Sequence, residues 1–216
     1  MVRQSSIAIL DATLKLIARG GIDAVRYRDV ANESGIPLGT ISYQYPSREE
    51  LIRSAFKYFL VKSEGLLRKA AAGMRPREPH DVAKLIADIL QSEFTAPDRA
   101  HLAEFELLVY AARDRQMADM LVEWDRRLIA ELGSILESVG VQSPFATAET
   151  LLDLSRGFQL ARLGRQDPNF SDLRLRIERV LQGLGAAAAA SATRQPSGSQ
   201  RPRRKQQAKS STLKPK

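Results

Sequence analysis

Apolar residues recur every three or four positions along most of this chain, and no stretch of any length alternates with the period of two that marks a half-buried strand. The first run puts Ile7, Leu10, Leu14 and Ile17 on one face and stops at Gly20-Gly21, which predicts a helix with a single core-facing stripe. A long helix is expected from Ser47 to about Ala72, with Leu51, Ala55, Phe56, Phe59, Leu66 and Leu67 inward. Ser47 and Glu50 have the spacing of a capping box, in which the hydroxyl accepts from the amide three residues on and the carboxylate reaches back. Met74 to Pro79, with two prolines, is a break. The next helix carries Val82, Leu85, Ile86, Ile89, Leu90 and Phe94. Pro97 suits the first turn of its successor, which presents Leu102, Phe105, Leu108 and Val109. Beyond a bend at Arg113 to Arg115, Met117, Met120, Leu121, Trp124, Leu128, Leu132 and Ile135 lie on a helix ending near Gly140. Ser143-Pro144 opens another with Leu151, Leu154, Phe158 and Ala161. Asp167-Pro168-Asn169 is a turn, and the last helix shows Leu173, Ile177, Val180, Leu181 and Leu184. The fold class is all-α, with about nine helices.

Between the first and the long helix, Arg28 to Arg48 reads as two short helices closed by a tight turn. Val30 and Ala31 form an apolar spot, and Ala31 is small enough for a second helix to cross closely. Gly35 suits the left-handed conformation that ends a helix. Ile36 is the plug beneath the turn and Ile41 the inner anchor of the second helix. The remainder of that helix, Gly39, Thr40, Ser42, Tyr43 and Gln44, is small or hydrogen-bonding. A helix entering a DNA major groove needs such a surface, with backbone close to phosphate and short polar groups facing base edges.

With the helix ahead of it, this block resembles the DNA-binding domain of the tetracycline-repressor family of bacterial regulators. The residues carrying the resemblance are Ile7 to Arg19, Gly20-Gly21, Arg28 to Ala31, Gly39-Thr40-Ile41, Tyr45, Pro46-Ser47, Arg48 and Glu49 to Ile52, in the family's order and spacing. Two positions depart from the pattern. Ser42 stands where the family usually has Tyr, with Tyr43 next to it as a substitute phosphate contact. Arg26 stands where the family caps its second helix with Thr or Ser, which predicts a weaker cap. The resemblance implies a three-helix helix-turn-helix domain over residues 1–47, with the motif at about 25–44, and a helical ligand-binding and dimerisation domain over 48–185. The long helix joins them.

Composition narrows the partners. There is no cysteine, hence no disulfide or thiolate chemistry. No apolar run approaches the ~20 residues that span a bilayer, and the N-terminus lacks a charged-then-apolar leader, so a cytoplasmic protein without a membrane partner is expected. The eight basic residues from Arg194 onward account for the whole formal charge of +8. They sit in a Ser-, Pro-, Gln- and Lys-rich tail, taken as a disordered segment over 186–216, which either solubilises the protein or adds weak attraction to phosphates. The Ala186 to Ala190 run before it extends the last helix or serves as a linker.

The only histidines, His80 and His101, stand apart near predicted helix starts, a position usually exposed. No Ser/His/Asp set, metal-spaced cluster or phosphate loop accompanies them, so no enzymatic activity, metal or cofactor is expected. Candidate phosphate contacts are Arg28, Thr40, Tyr43 and Arg48, the two arginines lying at helix starts where amides also point at phosphate. Candidates for facing bases are Pro37, Leu38, Gly39, Ser42 and Gln44. Polar or aromatic residues within apolar faces, Glu104, Phe105, Tyr110, Trp124, Phe158 and Arg162, are candidate pocket residues, each with packing as the competing explanation. The resemblance implies a homodimer joined by the last two helices, with Leu154, Gly157, Phe158, Ala161, Ile177 and Leu181 as candidate contacts. It also implies a palindromic operator in double-stranded DNA, a small-molecule effector, and repression rather than activation. The competing expectation is an architectural protein coating DNA through its basic tail, with little sequence preference.

Overall fold

The computed structural model describes residues 2–96, 99–165 and 169–193. Nine α-helices and one short 3-10 turn make up the regular structure of the described residues, with no strand among them. In order they are α1 (Val2–Gly20), the 3-10 turn (Ile22–Ala24), α2 (Tyr27–Ser34), α3 (Leu38–Gln44) and α4 (Arg48–Met74). Then come α5 (Pro79–Thr95), α6 (Ala100–Ala111), α7 (Arg115–Ser138), α8 (Pro144–Leu160) and α9 (Phe170–Thr193). Pro97, Asp167, Pro168 and the basic residues from Arg194 onward lie outside the described residues. The helix α9 continues through the Ala186 to Ala190 run to Thr193, so that run extends the last helix rather than forming a linker. An uninterrupted alanine run is the best helix former available, and nothing there stops the helix.

Local chemistry sets the helix ends. The Ser47 hydroxyl accepts from the Glu50 amide at 3.1 Å, as its spacing predicts. Asp114 caps α7 by accepting from the Met117 amide at 3.1 Å, while its other oxygen takes the Arg53 Nε–H at 2.8 Å, tying α4 to the start of α7. At α5, Asp81 reaches back to the amides of Arg77 (2.9 Å) and Glu78 (3.2 Å), and these hydrogen bonds hold its carboxyl below the usual range.

Two hydrophobic cores result. The first gathers Ile9, Ile17, Val30, Ile41, Leu51 and Phe56 from α1 to α4, and continues without a break into Ala103, Leu107 and Ala111 of α6 and Met117 and Trp124 of α7. The second joins α5, the later half of α7, α8 and α9 through Val82, Leu136, Leu151, Phe158, Leu173 and Ile177. The helices α7 and α8 approach so closely that a Cβ at Gly133 would lie 2.3 Å from the Phe145 ring. Three positions expected inside face out. Ile7 is exposed and Ile9 takes its place in the core; Val109 and Leu66 are also exposed. Leu66 sits beyond the point where α4 leaves the first core, so its neighbour Leu67 turns toward the second domain instead.

Candidate functional site

The short helix α3 carries the first candidate surface. Gly35 adopts φ 72° and its amide bonds to Ala31 O at 2.9 Å, so α2 ends in the left-handed turn expected of it. Ile41 is fully buried beneath α3, and Pro37, Leu38, Gly39, Ser42 and Tyr43 point outward, Tyr43 with 87% of its surface exposed. Gly39 has open space around it, since a Cβ there would meet nothing within 4 Å. Thr40 is half-buried. Gln44 is half-buried and tied to α1 by a hydrogen bond from the Ser6 hydroxyl to its Oε1 at 3.1 Å. Ser42 Oγ folds back to donate to Gly39 O at 3.2 Å. The Tyr27 hydroxyl donates to Tyr45 O at 2.6 Å and pins the end of α3 to the start of α2. Arg26, as the helix geometry requires of a residue without a short oxygen, caps α2 with no side-chain bond. It is exposed beside Arg28, and both arginines border a shallow groove with Leu38 and Ser42. Arg26 was not among the expected contacts; its signal in the sequence is the basic pair flanking Tyr27.

Arg48 departs from its expected role. Its Nε–H donates to Val25 O at 2.8 Å and its Nη2 to Ile22 O at 2.5 Å, with Asp23 3.5 Å away. The guanidinium therefore lies inward as a strut under the 3-10 turn that leads into α2, rather than out toward a phosphate. Its partners are far away in sequence, beyond the reach of local pattern.

The second candidate site is a cavity of about 120 Å³, partly open, enclosed by α4 to α8. Its walls are mostly aliphatic, among them Leu67, Ile86, Leu90, Leu132 and Leu151. Its polar lining is Glu93, Glu104, Trp124, Ser155, Arg156 and Gln159, with Ser63 from α4. Glu104 is 8% exposed, and burial pushes its carboxyl up to about 8, with the nearby charge of Glu93 adding to the effect. Burial alone raises Glu93 to about 7. The two terminal nitrogens of Arg156 fork onto Asp125, Nη1 to Oδ2 at 3.0 Å and Nη2 to Oδ1, while its guanidinium stands 5.2 Å from the centre of the Trp124 ring. Trp124 Nε1, Arg156 Nε and Gln159 Oε1 are buried without a hydrogen-bond partner.

Residues 77–187, half of the chain, match the family description "Tetracyclin repressor-like, C-terminal domain", and residues 9–55 match "Bacterial regulatory proteins, tetR family". The chain belongs to the tetracycline-repressor family. These are transcriptional regulators that bind DNA, not enzymes. Among curated relatives, the nicotine-responsive transcriptional repressor HdnoR of Paenarthrobacter nicotinovorans is 20% identical over 112 residues, 52% of this chain and 57% of that protein. The repressor KstR of Rhodococcus jostii is 45% identical over 72 residues, 32% of each chain. The chain thus spans little more than half of one relative and a third of the other. The solved structure of SCO7518 from Streptomyces coelicolor A3(2) superposes with a TM-score of 0.66 at 27% identity, covering 82% of this chain and 98% of that one.

Set against the family's second domain, the expected pocket residues divide. Glu104 and Trp124 line the cavity, but Phe105, Tyr110, Phe158 and Arg162 do not. Tyr110 packs against the first core. Phe158 is buried in the second core, 5.6 Å from the Phe170 ring, and Arg162 lies 3.6 Å over its face while donating to Asp172 at 3.1 Å. Phe105 is half-buried outside the cavity, because α6 turns Ala103, Leu107 and Ala111 to α1 and Glu104 to the cavity. Glu93, Arg156 and Gln159 were missed, each resembling an ordinary solvated position in its own helix.

The expected dimer contacts divide likewise. Phe158, Ile177 and Leu181 are internal, consumed by packing of α8 and α9 on α5 and α7. Leu154 is half-buried, and Gly157 and Ala161 are exposed beside Leu160 (59% exposed), with Leu175 of α9 45% exposed. The outward face is therefore rotated from the predicted one. His101 also differs from expectation, being buried and stacked on Phe94 at 4.0 Å between ring centres. His80 is half exposed and pairs with Glu178 at 2.9 Å. No described helix is long and apolar enough to cross a membrane.

Proposed function

We propose that the protein is a dimeric, sequence-specific transcriptional repressor that leaves a palindromic operator when a small molecule fills the cavity between α4 and α8. The observation that carries this reading is the position of α6. One face supplies Glu104 to the cavity, and the face beside it, Ala103, Leu107 and Ala111, is built into the core of the helix-turn-helix domain. A ligand that shifts α6 must shift α1 against it, because packed interiors leave no slack. The relatives named as repressors, one of them nicotine-responsive, support the sign and the ligand dependence.

On this reading the outward face of α3 enters the major groove, with Leu38 against a thymine methyl and Ser42 and Gln44 at base edges. Pro37 and Gly39 let the backbone come close, and nothing inside the protein requires glycine at Gly39. Arg28, Thr40 and Tyr43 meet phosphates, joined by Arg26. The exposed faces of α8 and α9 around Gly157, Ala161 and Leu160 pair with a second subunit, setting the two α3 helices about 34 to 36 Å apart or a multiple of it.

The test begins with duplexes selected by the full-length protein from a random-sequence library. A specific reader enriches one half-site repeated with two-fold symmetry and binds it at least ~1,000-fold more tightly than random duplex. Ligand titrations follow with and without that duplex, read by Trp124 fluorescence. A ligand that weakens duplex binding ~100-fold carries about 2.7 kcal/mol of coupling, and the duplex must weaken ligand binding by the same factor. No enrichment refutes the sequence-specific reading. Equal ligand affinity in both titrations refutes release.

A further inference from the structure

We propose that the cavity is built for a compact organic cation, an amine of about one ring in size, seated between Glu93 and Glu104 with Trp124 and Gln159 as its hydrogen-bonding partners. The inference deepens the ligand-responsive reading, on which its regulatory meaning rests. Four observations converge on it.

The first is charge. Two carboxylates from different helices, Glu93 at the end of α5 and Glu104 at the start of α6, line the same largely apolar cavity. A desolvated carboxylate is costly without a partner, and two sharing one cavity more so. The second is the absence of a spare positive group among the lining residues. Arg156 of α8 is forked onto Asp125 of α7, so that pair is neutral as a unit. The cavity lining from α4 contributes Ser63 and Leu67 and no charge. Glu64 on α4 is paired with Arg127 of α7 at 3.0 Å, and His101, one turn from Glu104 on α6, is stacked on Phe94. An anionic ligand would thus face two acids and a guanidinium whose two terminal nitrogens are committed to Asp125, with only its Nε–H left over.

The third observation is independent of charge. Gln159 is 3% exposed and its Oε1 has no hydrogen-bond partner; Trp124 is 3% exposed and its Nε1 has none. Both residues line this cavity. Arg156 Nε, at the same cavity, is likewise buried without a partner. Buried polar groups are almost always satisfied, so one acceptor and two donors left over at one cavity mark where a ligand completes the set. The carbonyl oxygen would accept from an N–H of the ligand, and the indole N–H would donate to an acceptor or a π-face on it. The fourth is size. A cavity of roughly 150 Å³ accommodates one benzene ring, and this one measures about 120 Å³ and is partly open, which leaves the head group room.

The upward displacement of both carboxyls, to about 7 for Glu93 and about 8 for Glu104, follows from the same geometry. On this assignment a bound cation favours the ionised carboxylates and displaces protons from them. Binding therefore couples to proton release and strengthens as pH rises.

The experiment uses the full chain and three ring compounds of similar shape, benzylamine, benzyl alcohol and benzoate, followed by calorimetry and Trp124 fluorescence at pH 6, 7 and 8. Benzylamine stays protonated across that range. It should bind about tenfold or more tightly than the other two at pH 8. Its affinity should rise by about tenfold from pH 6 to pH 8, the interval in which a carboxyl of pKa about 7 goes from about one-tenth to about nine-tenths ionised. Glu104→Gln and Glu93→Gln, which keep shape and remove an acid, should each lower benzylamine affinity about tenfold and reduce the pH dependence, leaving benzyl alcohol unchanged. Tighter or equal binding of benzyl alcohol or benzoate, a flat pH profile, or no benzylamine binding overturns the inference. The two readings fail separately. Benzylamine binding with the expected pH rise but without effect on the selected duplex leaves the cation site standing and sinks release. Release by benzyl alcohol or benzoate alone does the reverse.

Discussion

Arg48 is the residue on which two physical roles make opposite forecasts. As a phosphate contact it would contribute to DNA affinity and little to stability. As a strut it contributes to stability through two carbonyls, Val25 O at 2.8 Å and Ile22 O at 2.5 Å. Hydrogen bonds from a charged donor are worth about 1.5–3 kcal/mol each when well shielded. Arg48 is half-buried, with its side chain 35% exposed, and Asp23 beside it is fully solvated, so the ion pair adds little and the hydrogen bonds sit at the low end. Truncation to Ala lets water reach Ile22 O but leaves Val25, wholly buried, harder to resolvate. Arg48→Ala should therefore lower the unfolding free energy by about 2–4 kcal/mol. Arg48→Lys, with one ammonium in place of a planar fork, should recover less than half of that. The assay is urea unfolding, paired with the salt dependence of duplex binding by the folded fraction. The strut leaves the log–log salt slope unchanged. A variant of wild-type stability whose slope falls by about 2 units, one lost phosphate contact per subunit of a dimer, would refute the strut and restore the phosphate contact.

Two further perturbations test other parts of the molecule. Glu104 is raised to about 8 from an ordinary value of 4.5, so between these limits the folded chain keeps a proton that the unfolded chain releases. Its contribution is fully present below about pH 4.5 and is lost as pH climbs toward 8, at a rate on the order of 1.4 kcal/mol per pH unit at most. Unfolding free energy should fall over that window more steeply for the native chain than for Glu104→Gln, and parallel profiles would remove the desolvated acid from the account. Gly35→Ala should cost about 1–2 kcal/mol by thermal unfolding, from backbone strain alone, because φ is 72° and a Cβ there meets nothing within 4 Å. A cost near zero would mean the turn relaxes to another conformation.

The reader domain was legible because its determinants are local. Gly35, Ile36 and Ile41 lie within a few residues of one another, and turn chemistry and helical period fix their geometry without reference to the remainder of the chain. Helix existence in the second domain was legible for the same reason. The orientation of those helices was not. The helices α8 and α9 each have more than one apolar face, and periodicity alone does not say which one the neighbours take. The face bearing Phe158, Ile177 and Leu181 is buried within the subunit, leaving Gly157, Leu160 and Ala161 outside. The cavity shows the limit most sharply. Glu104 stood out in its own helix, whereas Glu93 and Gln159 acquire meaning only where α5, α6 and α8 converge. A trace of each was present: Glu93 precedes Phe94 at the end of an apolar helix, and Gln159 sits between Phe158 and Leu160.

The inward hydrogen bonds of Arg48 bear on how the two parts of the protein connect. Glu106 of α6 reaches Gly21, its Oε2 lying 3.1 Å from where a Cβ at that glycine would be. The 3-10 turn that follows accepts hydrogen bonds at Ile22 O and Val25 O from the Arg48 guanidinium. One turn of chain thus lies beside Glu106 of α6, whose next residue Leu107 is fully buried in the first core, and is hydrogen-bonded by Arg48 of α4, the helix that also supplies Ser63 and Leu67 to the cavity. Immediately beyond that turn, α2 begins, and the Tyr27 hydroxyl fixes the end of α3 to it. The chain leading to α3 is therefore in contact with two helices that both border the cavity, besides its covalent link through α4. A phosphate-seeking arginine at the head of α4 would add affinity uniformly and transmit nothing. An arginine turned inward links the start of α2 to α4, and on the proposed reading a molecule lodged between Glu104 and Leu67 acts on α3 by changing the relative positions of α4 and α6.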